Sequence, residues 1–433
     1  MKVKITCFVF LVLNVVISNV FSQNIVNNGA NIVIMDSAYV FVSDNFFNLS
    51  DGYSHGCVSL KGMVEVRKNW VNDADSGYVF DNSDSLYSGT VLLSGFSGQN
   101  IGGKNPTFFP SLKLVNSKKN ILVNNCQVFG NLILQNASLY LNKNRLSIMN
   151  PNNNAIQYDN SFIFSETPPD SGYSEILWYV KDNIGNFSVP FGNGKTNYDS
   201  LNLSVNITSA GSDDGKIVFA TYPVSPSTNA PYPTGVKTMS GYEPTFIADR
   251  FWIIRPIFSL KPYVDIIFSY TDEDILDKNN KDIIESNLKA QRYNPLLDEW
   301  NDIEIISNAD VDNNKVMANY IKNEDFFDNW RIVNDYNPSV IYVPRAFSPN
   351  KDGKNEEFKV YSSSIDPNNF NIYIYDRWGK LIFKSNDINK GWDGRVLGGS
   401  EIVPMGSYSY YIIARDKYTK KQIQKYGSIT VLR

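Results

Sequence analysis

The segment FFPSLKLVNSKKNILVNNCQVFGNLILQNASLYLNKNRLSIMN, residues 108–150, alternates apolar and polar residues in short pieces. Leu112/Leu114, Leu122, Leu132/Leu134, Leu139/Leu141 and Leu146/Ile148 mark the apolar positions, and Asn116, Asn124, Asn136, Asn144 and Asn150 fall at the breaks. Period-two alternation sends successive side chains to opposite faces of a strand. Asparagine suits the breaks because its short polar side chain serves turns. Repetition at this pace predicts the stacked short strands of a parallel β-solenoid. A meandering β-sandwich is the competing arrangement. Hairpin dipeptides such as Asn-Gly are rare between these strands, which favours the solenoid. The upstream piece KNWVNDADSGYVFDNSDSLYSGTVLLSGFSGQNIGG, residues 68–103, fits the same scheme, so the solenoid-like region is set at 23–165.

The whole chain supports an all-β reading. Of 433 residues, 14% are aromatic and 19% charged, with 26 Tyr and 26 Phe, the usage of strands joined by tight turns. Runs of Ala, Leu, Glu and Lys that signal helices are missing. Residues 1–22 read as a secretory signal peptide: Lys2 and Lys4 precede an apolar stretch, and Val20 and Ser22 suit cleavage before Gln23. Asn14, Ser18 and Asn19 interrupt that stretch too early for a membrane-spanning helix, and no later segment is apolar enough for one. Loss of the two leader lysines takes the net charge from −4 to −6. An acidic chain without a basic cluster is poorly suited to nucleic acid. Cys57 and Cys126 remain after the leader is removed, and two buried thiols are favoured over a disulfide.

Past a proline pair in ETPPDSGY (166–173), strand-like runs such as EILWYVKDNIGNFSVPFG, DRFWIIRPIF and YVDIIFSYTD predict a β-sandwich over 166–337. KDIIESNLKAQRY (281–293) suits a short helix or a strand equally. NDYNPS (334–339) links to a last module at 338–433. There FNIYIYDRWGKLIFKS puts Phe370, Ile372 and Ile374 on one face, SYSYYIIAR does the same with Tyr408, Tyr410, Ile412 and Ala414, and GSITVLR ends in a strand. About seven strands in this span predict a small immunoglobulin-like β-sandwich.

AFSPNKDGKNEEF, IYDRWGKLIF, GWDG, PMGSYSYYI and the ending GSITVLR resemble, in order, the gliding-motility-associated C-terminal domain. This family is the type B sorting domain of the type IX secretion system of Gram-negative bacteria. The resemblance implies export through the inner membrane, recognition of the folded domain by the type IX translocon, and delivery to the cell surface or medium. Pro349, Asn350, Asp352, Gly353, Asp376, Arg377, Trp378, Gly379, Trp392, Asp393, Gly394, Gly406, Tyr408, Gly427 and Arg433 carry the matching positions. The chain departs at Lys351, where the family usually has Gly, and at Glu356, where Asp is usual.

Within the module, Asn350, Asp352, the Lys354 carbonyl and Glu356 surround Gly353 with oxygens at alternating positions, the pattern of a calcium loop. An Asx-turn is the competing reading, and Lys351 and Lys354 favour it by placing positive charge beside a cation. Trp378 and Trp392 are expected in the core, and the acidic runs 270–282 and 308–315 as solvated turns. For catalysis the inventory is thin: His55 is the only histidine, and no phosphate loop, nucleophile elbow or HExxH occurs. The expectation is a non-enzymatic exported surface protein with an adhesion or gliding-associated role, its partners surface glycans or other surface proteins. The alternative is a secreted carbohydrate-active enzyme, lyase or hydrolase, or a carbohydrate-binding protein, with its site on the N-terminal β-region.

Overall fold

Every strand in residues 25–148 that has a successor one coil later pairs with it in parallel, and this single rule builds the N-terminal part of the molecule. The computed structural model describes residues 23–80, 88–117, 119–166, 172–193, 200–237, 246–275, 283–302, 307–334, 341–362, 365–416 and 422–433. About half of the chain, 52%, is strand. One coil comprises Asn120–Leu122, Cys126–Val128 and Leu132–Gln135, and the next begins at Ser138–Tyr140. Asn120 pairs with Leu139, Cys126 with Leu146 and Leu132 with Ile156, so three walls rise together. About six such coils stack, with one wall of seven strands and another of six. Coil length varies: Trp70 pairs with Ile101, a far longer step than Asn120 to Leu139.

Stacking puts like residues above like. Val42, Val66, Leu93, Leu114 and Leu134 form one in-register inward ladder, and Val64, Val91, Leu112, Leu132 and Ile156 another, all buried. Phe109, Val128, Ile148 and Trp178 line the third wall, and the Phe46 and Trp70 rings stack 4.4 Å apart. Each such aliphatic side chain contributes about 1.5–3 kcal/mol by leaving water.

The corners are held by asparagines. Asn116 and Asn136 adopt left-handed backbone (φ 52° and 49°). The Asn136 amide donates to Asn116 Oδ1 at 3.4 Å, and Asn124, Asn144 and Asn150 donate to Lys104 O, Leu122 O and Asn131 Oδ1 of the preceding coil. All five breaks marked by the alternation are therefore cross-coil contacts. A further ladder lies inside: Asn27, Asn48 and Asn72 are in register and buried. Asn27 Nδ2 donates to Asn48 Oδ1 (3.1 Å), and Asn48 Nδ2 donates to Gly56 O (2.9 Å) and Asn72 Oδ1 (3.4 Å).

The chain divides into two compact units: residues 1–222, 252–268 and 320–328 in one, and 223–251, 269–319 and 329–433 in the other. In the first, parallel stacking ends where Glu175–Trp178 pairs in parallel with Arg145–Ile148 on one side and antiparallel with Lys216–Pro223 on the other. Gly185–Val189, Leu203–Ser209 and Tyr263–Ser269 form a further antiparallel ladder. In the second unit, Leu288–Asn294 pairs antiparallel with Glu299–Asp302 and Asn329–Asn334. The segment ambiguous between helix and strand is thus a strand from Leu288, preceded by a 3-10 turn at Glu285–Asn287. The leader at 1–22, the proline pair and most of the linker 334–339 lie outside the described residues. No helix among the described residues is long and apolar enough to cross a membrane.

The C-terminal segment is one five-stranded sheet in the order Ala346–Phe347, Gln422–Val431, Gly406–Asp416, Ile365–Tyr375, Leu381–Ser385. Bridges at Tyr342–Tyr361, Phe358–Trp392 and Arg395–Ile402 take the place of further strands among the described residues. The faces read from alternation are the buried ones: Phe370, Ile372, Ile374, Tyr408, Tyr410, Ile412, Ala414, Ile429 and Val431 share a core with Phe347, Phe358 and Trp392.

Removing an inner corner amide tests the solenoid. Asn48→Ala leaves the Gly56 carbonyl and both neighbouring asparagines short of a partner. It is expected to cost about 1–3 kcal/mol, read as a lowered denaturation midpoint of the solenoid-bearing protein.

Candidate functional site

The loop Ser348–Glu356 leaves the short strand Ala346–Phe347, which is itself held by the terminal strand. Ala346 pairs with Thr430 and Phe347 with Val431, and Leu432 N donates to Phe347 O at 2.9 Å. Ser348 N donates to Asn355 O (2.9 Å) and closes the loop. Inside it, Asn350 Oδ1 accepts from Asp352 N (3.0 Å), Asp352 Oδ1 from Lys354 N (2.8 Å) and Glu356 Oε1 from Gly353 N (3.0 Å). The side-chain oxygens of Asn350, Asp352 and Glu356 that suggested calcium are each engaged by the loop's own backbone, the bonding of successive Asx-type turns. Lys351, Gly353 and Asn355 have φ of 71°, 84° and 51°. The glycine usual at position 351 has a physical reason: a side chain there forces a Cβ into left-handed backbone.

The remaining motif residues, distant in sequence, build one end of the same sheet. Asp376 Oδ1 accepts from Trp378 N (2.8 Å) and Lys380 N (2.9 Å), and Gly379 closes the turn at φ 80°. Trp378 is 85% exposed, which overturns its expected core role. Trp392, by contrast, is fully buried against Phe347 (5.3 Å) and Tyr408 (5.4 Å), with Nε1 donating to Arg395 O. The two indoles differ because the Trp392 backbone is bridged to Phe358, whereas Trp378 sits at a hairpin tip. Asp393 Oδ1 accepts from Arg395 N, and Gly394 (φ 79°) faces Pro349, whose Cγ would lie 3.2 Å from an added Cβ. Gly406 (φ 150°) opens the strand opposite Val431, Tyr408 donates to Pro404 O (2.8 Å), and Arg433 donates to Val403 O (2.6 Å). Gly427 leaves room for the Tyr410 ring, whose hydroxyl would stand 2.6 Å from a Cβ there.

His55 is exposed and makes only a backbone bridge to Ser50, and Cys126 is buried, free of any disulfide, its thiol pushed far up by burial. Asp274, expected in a solvated turn, is buried and paired with Arg250 (3.1 Å). Missed by sequence reading is a charge chain at the last solenoid coil. Arg145 binds the buried Glu175, Arg255 lies 3.9 Å from Glu175 and 3.3 Å from Asp328, and Lys261 donates to Phe326 O. Burial holds Asp328 above the usual carboxylate range despite Arg255 and Lys261, and burial lowers Lys261. Also missed is a solenoid patch in which the Arg67 guanidinium lies over Phe41 (5.5 Å) and Phe96 (5.4 Å), both rings more than half exposed. Among the described residues no group of three or more His, Cys, Asp and Glu could hold a metal ion.

Lys351→Gly is expected to stabilise the protein by about 0.5–1 kcal/mol by removing the left-handed strain, seen as a raised denaturation midpoint of the C-terminal transition.

No curated protein and no solved structure matches the chain. Residues 341–431 match the family model described as the CHU_C Type IX secretion signal domain. The matched span contains the Ser348–Glu356 loop, both tryptophan turns and the terminal strand through Val431. The protein therefore carries a C-terminal type IX secretion signal domain.

Proposed function

We propose that the protein is a non-enzymatic cell-surface binding protein, adhesive or gliding-associated, delivered by type IX secretion. The leader takes it across the inner membrane and is removed near Ser22. The folded C-terminal domain is then handed to the type IX translocon. The observation that carries the export half is the position of the terminal strand. It lies inside the sheet, pairing with Gly406–Asp416 on one side and with Ala346–Phe347 on the other. Its loss turns Gly406–Asp416 into an open edge and frees the strand that anchors the Ser348–Glu356 loop.

The binding half rests on the solenoid patch. Aromatic faces with a guanidinium between them suit stacking on sugar rings or on another protein's surface. Tyr39, also more than half exposed, adds to it by donating to Glu65, which pairs with Arg67 at 2.8 Å. Surface glycans are the first partner class, other surface proteins the second.

Deletion of Gly427–Arg433 is expected to leave the protein in the periplasm, measured by cell fractionation and surface labelling. Normal surface levels of that truncation would sink the export half. The full-length protein on a glycan array is expected to bind, and Phe96→Ala to weaken binding by about tenfold, the loss of one stacking contact.

A further inference from the structure

The end of the C-terminal sheet collects exposed apolar side chains from three places in the sequence. Gly406 pairs with Val431, so Met405 and Leu432, 61% and 50% exposed, flank each other just beyond the last pair. Tyr375 pairs with Ser409, and the turn after Tyr375 carries Trp378 past the same end. Ile402, half exposed, is held nearby through the bonds of Val403 to Gly394 and Arg433.

Two guanidinium groups are exposed at this end although the chain is acidic overall. The Asp376 carboxylate is turned onto its own backbone, accepting two N–H groups through Oδ1, while Arg377 is exposed. Asp393 is paired with Arg395 at 3.3 Å. Arg433, also exposed, adds a second cation. The Tyr408 hydroxyl donates to Pro404 O and Arg433 donates to the adjacent Val403 O, and burial raises the Tyr408 hydroxyl above its usual range, the charges of Arg377, Asp376 and Arg433 also acting on it.

An indole left 85% in water on a turn fixed by four hydrogen bonds contributes little to this domain's own core. Large aromatic and arginine side chains together are the usual anchors of protein interfaces. We propose that this end face, with Trp378 as anchor and Arg377 and Arg433 at its rim, is the surface that the type IX secretion machinery grips. The partner is a protein with an apolar slot for the indole, flanked by carboxylates. This rests on the export reading above and names the part of the domain that is read.

The test compares the full chain, Trp378→Ala, Trp378→Phe, Arg377→Glu and the Gly427–Arg433 deletion in a bacterium with a type IX secretion system. Trp378→Ala is expected to cut surface delivery about tenfold with an unchanged melting midpoint. Trp378→Phe restores part of it, and Arg377→Glu lowers it with the fold intact. Wild-type delivery of Trp378→Ala, while the deletion is retained, overturns the proposed face and leaves the export reading standing. Delivery of both overturns the export reading itself. Loss of self-association by Trp378→Ala without loss of delivery assigns the face to a second copy and overturns the proposal. Should Trp378→Ala melt early, Arg377→Glu decides by the same readout.

Discussion

Coil-on-coil parallel pairing is the constraint on which the N-terminal architecture depends. Once Cys126 lies over Leu146 and Leu112 over Leu132, each inward position must repeat a side chain that its neighbours above and below can pack or bond, and every corner must reverse within a few residues. The first demand is met by Val and Leu ladders. The second is met by asparagines, some taking left-handed backbone as Asn116 and Asn136 do, others such as Asn144 bonding to the neighbouring coil. Neither would suffice alone, because an aliphatic prism without bonded corners would leave buried backbone carbonyls unpaired.

The C-terminal domain applies the same economy of means to a different end. Its last strand holds together both the sheet and the loop that leads the motif, so motif residues far apart in sequence depend on one another. Trp392, Phe347 and Tyr408 form the packed side of that arrangement, while Trp378 stands outside it.

Much of this was legible in the sequence because short strands reveal themselves by alternation. The leucine pairs of 108–150 and the faces of 370–375 and 408–414 are buried as the pattern requires. Asn116 and Asn136 at the breaks were legible too, since left-handed backbone narrows the choice of residue. What failed was anything fixed by contacts distant in sequence. Trp378 and Trp392 both sit beside turn glycines, and only tertiary pairing separates the exposed one from the buried one. The chain from Arg145 through Glu175 and Arg255 to Asp328 has no local signature because its members come from four separate segments. Asn48 reads like a turn residue, yet its burial follows from the ladder in which it stands.

The unequal coil lengths carry a further consequence. The long excursion between Trp70 and Ile101 leaves those two residues paired as regularly as Asn120 and Leu139. Part of the added length is built into the core: Ala74, Val79 and Phe80 are buried, Phe80 bridges Val58 in parallel, and its ring stacks on Trp70 at 5.6 Å. Such a scaffold can lengthen a coil and keep the register on either side when the added residues bring their own apolar side chains to the core. One coil can thus change in length while the pairing of the coils above and below it is kept.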